Sequence, residues 1–194
     1  MIVTPSAEGV LASAAAATKG AGKRGPAPVH LWNPPFCGDM DMRIARDGTW
    51  FYLGTPIGRP GLVKLFSSIL KLENGKYFLV TPVEKVGIKV DDAPFVAVDF
   101  EVAGKGSAQT VTFTTHVGDD VTAGPDHPLR VKRAPVTGEP APYVMVRAGL
   151  EALIDRKSFY RLVEICDHAQ QDGTDWFGLW SGGVFFSIIP SAEL

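Results

Sequence analysis

The sequence predicts an α+β fold made of two related modules, each a mostly antiparallel sheet covered by one helix. Three observations predict it. Apolar and β-branched runs of four to eight residues fill most of the chain, and clusters rich in Gly (21 in all) and Pro (15) separate them. Within the body of the chain, only two segments carry an apolar stripe at helical spacing. Those two segments also read alike: IGRPGLVKLF, from Ile57 to Phe66, and IDRKSFYRLV, from Ile154 to Val163, each open with Ile-x-Arg.

Taken in order, residues 1–28 form a tail and linker. Ser6 to Thr18 is an Ala-rich stretch with high helix propensity, but so short a helix is marginal in water unless it docks. GAGKRGPAP follows as a linker, and Lys19, Lys23 and Arg24 read as solvated charge. The first module spans 29–84. In CGDMDMRI, Met40, Met42 and Ile44 alternate with Asp39, Asp41 and Arg43, the period of a half-buried strand. Asp47-Gly48 then separates this strand from the aromatic run Trp50 to Leu53, which predicts a hairpin with a two-residue type I′ turn. Gly58 and Arg59 precede Pro60, a residue suited to a first helical turn, so a helix is expected from there to about Glu73, stopped by Asn74-Gly75. KYFLVT completes the module as a strand.

The second module spans 85–194. KVGIKV, FVAVDFEV, TVTFTTHV and LRVKR predict an antiparallel meander, since each gap between them is rich in turn formers. YVMVRAGLEALI starts as a strand. A second helix is expected from about Arg156 to Gln170, and WFGLWSGGVFFSII predicts two strands joined at Ser181 to Gly183.

Any two amphipathic helices share a stripe, so the match of Leu62, Leu65, Phe66 and Ile69 with Phe159, Leu162, Val163 and Cys166 proves nothing alone. The flanks carry the case for duplication. Ile57 matches Ile154, Arg59 matches Arg156 and Lys64 matches Arg161, all 97 positions apart, with Gly58 and Asp155 as the expected caps. Cys166 takes the position of Ile69, which predicts a buried small hydrophobe rather than a reactive thiolate.

Bulk properties narrow the classes of function. A net charge of −2 gives no global attraction to polymeric nucleic acid or an anionic membrane. Two cysteines, Cys37 and Cys166, make no disulfide framework and no zinc spacing. The N-terminus lacks a basic region ahead of its apolar stretch, and no apolar run reaches the roughly 18 residues of a membrane span. The expectation is a soluble cytoplasmic protein with no membrane association.

HLWNPPFCGDMDMRI, DGTWFYLGTPI, LVTPVEKVGIKVDDAPF and DHPLRV resemble, in the same order, blocks of a bacterial family of uncharacterised proteins, domain of unknown function 1285. The resemblance runs from about Val29 to near the end of the chain. It implies a duplicated α+β structure whose C-terminal half is similar in outline to a pleckstrin-homology-like barrel. It also implies a ligand pocket between the halves for a nucleotide-like molecule and a place in signalling, with no established catalytic residues.

Candidate site residues each admit two readings. Asp39 and Asp41 face one way on a strand and suit a hard cation or shared acid-base work; with Arg43 they equally suit a polar, ion-paired face. Asp91-Asp92 offers metal ligands or turn hydrogen bonds. His127, in PDHP beside Asp126, suits proton transfer, but no nucleophile motif accompanies it. His30, His116 and His168 read as surface or capping residues.

Neither GxxxxGK[ST] nor GxGxxG occurs. Arg59 and Arg156 stand at helix starts, where free N–H groups favour anions; alternatively each ties helix to sheet. Trp50, Tyr52, Trp176 and Trp180 suit base stacking or a core. The function expected is that of a non-enzymatic ligand-binding or regulatory protein. Its site lies at the junction of the modules, takes a small anionic or nucleotide-like ligand, and includes Arg59, Arg156, Asp39, Arg43, Trp50, Asp92 and His127, with no metal expected. The alternatives are a hydrolase using Asp residues and His127 with a divalent ion, and a protein-interaction module.

Overall fold

Ser6 opens the first helix, α1 (Ala7–Thr18), by accepting a 3.1 Å hydrogen bond from the Gly9 N–H. The computed structural model describes residues 5–19 and 26–194, so Lys23 and Arg24 lie outside the described residues. The helix is not left to its own propensity. Val10 and Ala14 are fully buried, and α1 packs on a second helix, α2 (Pro60–Ser68).

The alternation in CGDMDMRI holds: β1 (Phe36–Ile44) buries Met40, Met42 and Ile44 and exposes Asp39, Asp41 and Arg43. It pairs antiparallel with β2 (Trp50–Tyr52), Ile44 opposite Trp50. The hairpin is as expected, but its turn is not type I′. Of Asp47 and Gly48 only Gly48 has positive φ (87°); its N–H bonds the Ala45 carbonyl, while Ala45 N–H bonds the Thr49 carbonyl. This is a three-residue loop with glycine at the left-handed position. Asp47 turns its carboxylate onto the Thr49 N–H at 2.9 Å, and that bond holds its carboxyl below the usual range. The two-residue turn with positive φ at both positions comes next, at Leu53-Gly54, and leads into β3 (Thr55–Pro56).

Helix α2 starts on Pro60 with Arg59, not Gly58, as its N-cap. It ends at Ser68, well short of Glu73. Leu70–Glu73 is instead a strand, β4, pairing with β5 (Lys76–Val80) across Asn74-Gly75, both at positive φ. Asn-Gly both stops helices and turns hairpins, and here the alternation of LKLE lets the hairpin win. Ile69 is fully buried although it lies outside the helix.

The strand β6 (Lys85–Val90) lies between β5, antiparallel, and β1, parallel. The first sheet therefore runs β3-β2-β1-β6-β5-β4, two three-stranded meanders joined through their first and last strands. The first compact unit accordingly extends to Pro94, and the boundary expected at residue 84 would detach the strand that joins its halves.

The second unit runs from Phe95. Its strands are β7 (Phe95–Ala103), β8 (Thr110–Thr115), β9 (Asp120–Thr122), β10 (Leu129–Arg133), β11 (Pro140–Arg147) and β12 (Leu150–Ile154). The order β10-β11-β12-β7-β8-β9 repeats the first sheet's plan, because β12 pairs parallel with β7. A single meander was expected here; two occur, and the parallel pair joins them.

The third helix, α3 (Arg156–Val163), is capped by Asp155, whose carboxylate accepts from Ser158 N–H at 2.7 Å. It is seven residues shorter than expected, since residues 167–171 pair as a strand. A separate sheet, β13 (Asp167–Gln171), β14 (Thr174–Ser181) and β15 (Val184–Pro190), follows it, and Gly182-Gly183, both at positive φ, turns β14 into β15. Helix plus following meander thus recurs: β4 and β13 begin 97 residues apart, the spacing of the Ile-x-Arg segments.

Arg161 fastens α3 to the second sheet. Its guanidinium pairs with the Asp99 carboxylate, reaches the Phe100 carbonyl and lies 4.6 Å over the Phe100 ring, and the pairing lowers the Asp99 carboxyl below its usual range.

Cys166 is half-buried and donates to the Leu162 carbonyl at 3.3 Å; burial pushes its thiol up to about 12. At pH 8 Cys166 is therefore expected to alkylate at least about a hundredfold more slowly in the native protein than after unfolding, as read by mass spectrometry. Equal rates would refute this account of its environment.

Candidate binding groove

Among the described residues the one parallel pair in the first sheet is also its least regular. β1 pairs with β6 at Phe36–Lys85, Asp39–Gly87, Arg43–Lys89 and Ile44–Val90. Between the first two pairs β1 uses one residue more than β6, and between the next two it uses two more. Bulges of this kind bend a strand and re-aim its side chains. Gly38, at φ 104°, allows the first of them.

A groove of about 560 Å³ lies along this irregular stretch, lined from β1, β6 and β5. Its exposed lining side chains are Asp39 and Asp41 from β1, Lys76 from β5 and Lys89 from β6, with Phe78 and Gly87 between them. Phe78 stands opposite Gly87 in the ladder. An alanine Cβ at Gly87 would fall 2.1 Å from Asp39 Oδ1, so the carboxylate is laid over the sheet in the space a side chain would fill.

The charges around the groove are engaged with one another. Glu73 accepts from Lys71 at 2.7 Å and Lys85 at 2.8 Å, and Lys85 also sits 5.0 Å over the Phe78 ring, which packs perpendicular to Phe36. Arg43 pairs with Asp91 at 3.3 Å and lies over Phe51. The lining charges differ: among the described residues Asp39, Asp41, Lys76 and Lys89 have no ion-pair partner.

The two lysines hold the Glu73 carboxyl below its usual range. A depressed folded value stabilises the protein above the unfolded carboxyl's pKa, and that contribution is lost as pH falls through the folded value. Glu73→Gln is therefore expected to cost about 0.5–1 kcal/mol at pH 7 and progressively less below about pH 4.5. An undiminished difference at pH 3, measured by urea unfolding, would refute the assignment.

Of the seven residues expected at the ligand site only Asp39 lines this groove, joined by Asp41, its partner in the candidate carboxylate pair. Arg43, exposed on the same side of β1 as Asp39 and Asp41, is paired with Asp91 rather than with either of them. Asp92 pairs with Arg46 at 3.3 Å beyond the end of β6. Trp50 is a core residue, 1% exposed and stacked on Phe66, so it offers no base-stacking face. Arg59 is exposed at the start of α2.

Arg156 and His127 belong to the second unit. Arg156 does not tie helix to sheet; it bonds Tyr160, one turn along its own helix, at 3.1 Å. His127 Nδ1 lies 3.0 Å from the Met145 carbonyl, which can only accept, so that nitrogen carries the proton and the ring pins the loop to β11. His116 is not a surface residue but half-buried, its Nδ1 accepting from Val96 N–H at 3.1 Å. Among the described residues, no three His, Cys, Asp or Glu side chains gather as a metal set. No helix there is long and apolar enough to cross a membrane.

Lys76, Phe78, Gly87 and Lys89 were missed. The signal that marks them is Gly87 itself, since a glycine inside a strand pattern marks a bulge or a close approach, and Gly38 in PPFCGD is a second such mark.

Two sheets on one plan, each accompanied by a helix, with a third small sheet after α3, define a duplicated α+β protein. Residues 27–93 match the N-terminal domain, and residues 94–188 the C-terminal domain, of a family described as a protein of unknown function, DUF1285. The chain belongs to the DUF1285 family. It is similar to the crystal structure of a DUF1285 family protein from Silicibacter pomeroyi DSS-3, with 66% identity and a TM-score of 0.84 over 95% of this chain and 96% of that one. It is also similar to a DUF1285 family protein from Shewanella baltica OS155, with 32% identity and a TM-score of 0.52 over 65% of this chain and 92% of that one. Comparison with curated proteins gives no match.

Proposed function

We propose that this protein is a non-enzymatic ligand-binding protein with a regulatory role, and that its site is the groove between β1 and β6. The observation that carries the reading is a groove beside the irregular β1–β6 pairing whose lining charges, among the described residues, have no ion-pair partner. Lys76 and Lys89 suit an acidic group such as a phosphate, and Phe78 offers part of a ring to a planar group, so a small nucleotide-like molecule fits the lining. The hydrolase reading gains no support from His127, whose ring is committed to a backbone carbonyl and which no carboxylate bonds among the described residues.

Calorimetric titration with purine nucleoside monophosphates tests the reading. Saturable binding is expected, with the Kd weakened at least about fivefold in Lys76→Gln/Lys89→Gln, the worth of one exposed charge pair. Absence of binding at millimolar ligand, or an affinity indifferent to the double substitution, would overturn it.

A further inference from the structure

We infer that the groove selects a ligand with two opposite ends: an acidic group held by Lys76 and Lys89, and a nitrogen group, protonated or bearing N–H donors, received by Asp39 and Asp41. This rests on the groove being the binding site and goes beyond it by fixing the ligand's second end.

The argument starts from the backbone. Asp39 and Asp41 are two apart on β1 and project to the side opposite the buried Met40 and Met42. Like charges so close repel, and a folded protein ordinarily sets a cation beside them. Here Arg43 and Lys85 are committed elsewhere, to Asp91 and Glu73, and among the described residues Lys76 and Lys89, which line the same groove, make no ion pair with either carboxylate. Gly87, lacking a side chain, lets the Asp39 carboxylate lie over the sheet rather than swing away into solvent. A purely anionic ligand drawn to Lys76 and Lys89 would have to lie against two carboxylates, and a pure cation would meet the opposite conflict. A ligand carrying both kinds of group satisfies all four side chains.

Three probes on one carbon skeleton separate the cases: O-phosphoethanolamine carries both ends, ethyl phosphate only the acid, and ethylamine only the base. By titration of the full chain, O-phosphoethanolamine is expected to bind about fivefold more tightly than ethyl phosphate. Asp39→Asn/Asp41→Asn should erase that difference, mainly by improving ethyl phosphate. Gly87→Ala, which keeps every charge but displaces the Asp39 carboxylate, should narrow the difference between the two phosphates, weakening O-phosphoethanolamine relative to ethyl phosphate.

Ethyl phosphate binding as tightly as O-phosphoethanolamine would overturn the two-ended inference while leaving the groove as a site. So would nucleoside monophosphate binding that Asp39→Asn/Asp41→Asn leaves unchanged. If no probe or nucleotide binds, the groove itself is refuted as a binding site, and the inference with it.

Discussion

Phe66→Ala is expected to lower the unfolding free energy by about 3–5 kcal/mol, the usual cost of emptying a large aromatic from a core. Phe66 is 2% exposed, and its ring is stacked 6.1 Å from Trp50 at an interplanar angle of 16°. It joins α2 to β2 through this stacking, so the cavity would open between helix and strand rather than at an edge able to collapse. A loss of this size should lower Tm by more than about 10 °C for a unit of this length. A change below about 1 kcal/mol in chemical denaturation would show that α2 is not fastened there. Phe66→Leu, which refills part of the volume, should recover much of the loss.

Ser181→Ala is expected to cost about 2–4 kcal/mol although it removes a single oxygen. Ser181 is fully buried at the end of β14, where its hydroxyl accepts from Val111 N–H at 2.9 Å and donates to the Ala123 carbonyl at 2.7 Å. The substitution strands a donor and an acceptor, and each orphaned buried group costs about 1–3 kcal/mol. Two further bonds make the same link: Gly182 N–H to the Gln109 carbonyl at 3.0 Å and Gln109 Nε2 to the Trp180 carbonyl at 2.9 Å. The third sheet is thereby latched to β8 of the second. Hydrogen exchange should show increased opening in β14 and β15 ahead of the rest of the unit. Unchanged protection there would sink the latch.

Local chemistry made much of this fold legible in advance. The alternation in CGDMDMRI, the Gly-Gly turn after β14 and the paired Ile-x-Arg helix starts all rest on interactions within a few residues. What escaped was decided by partners distant in sequence. LKLE became a strand because β5 was there to pair with it, and DHAQQ, with almost no apolar content, because β14 was. The parallel pairs β1 with β6 and β7 with β12 leave no local trace at all. The groove inherits that difficulty: Asp39 drew notice as one of a carboxylate pair, whereas Lys76 and Lys89 matter only through the register that sets three strands side by side.

The joining of each sheet through its first and last strands has a consequence for how the chain acquires its structure. Hairpins such as β4-β5 close in microseconds, but β1 must wait for β6 and β7 for β12, across nearly the whole intervening unit. Each three-stranded meander alone exposes an edge that only its later partner can cover. During synthesis the first unit therefore gains its central pairing only after residue 90 has cleared the ribosome, and until then β1 presents an open strand edge to whatever it meets.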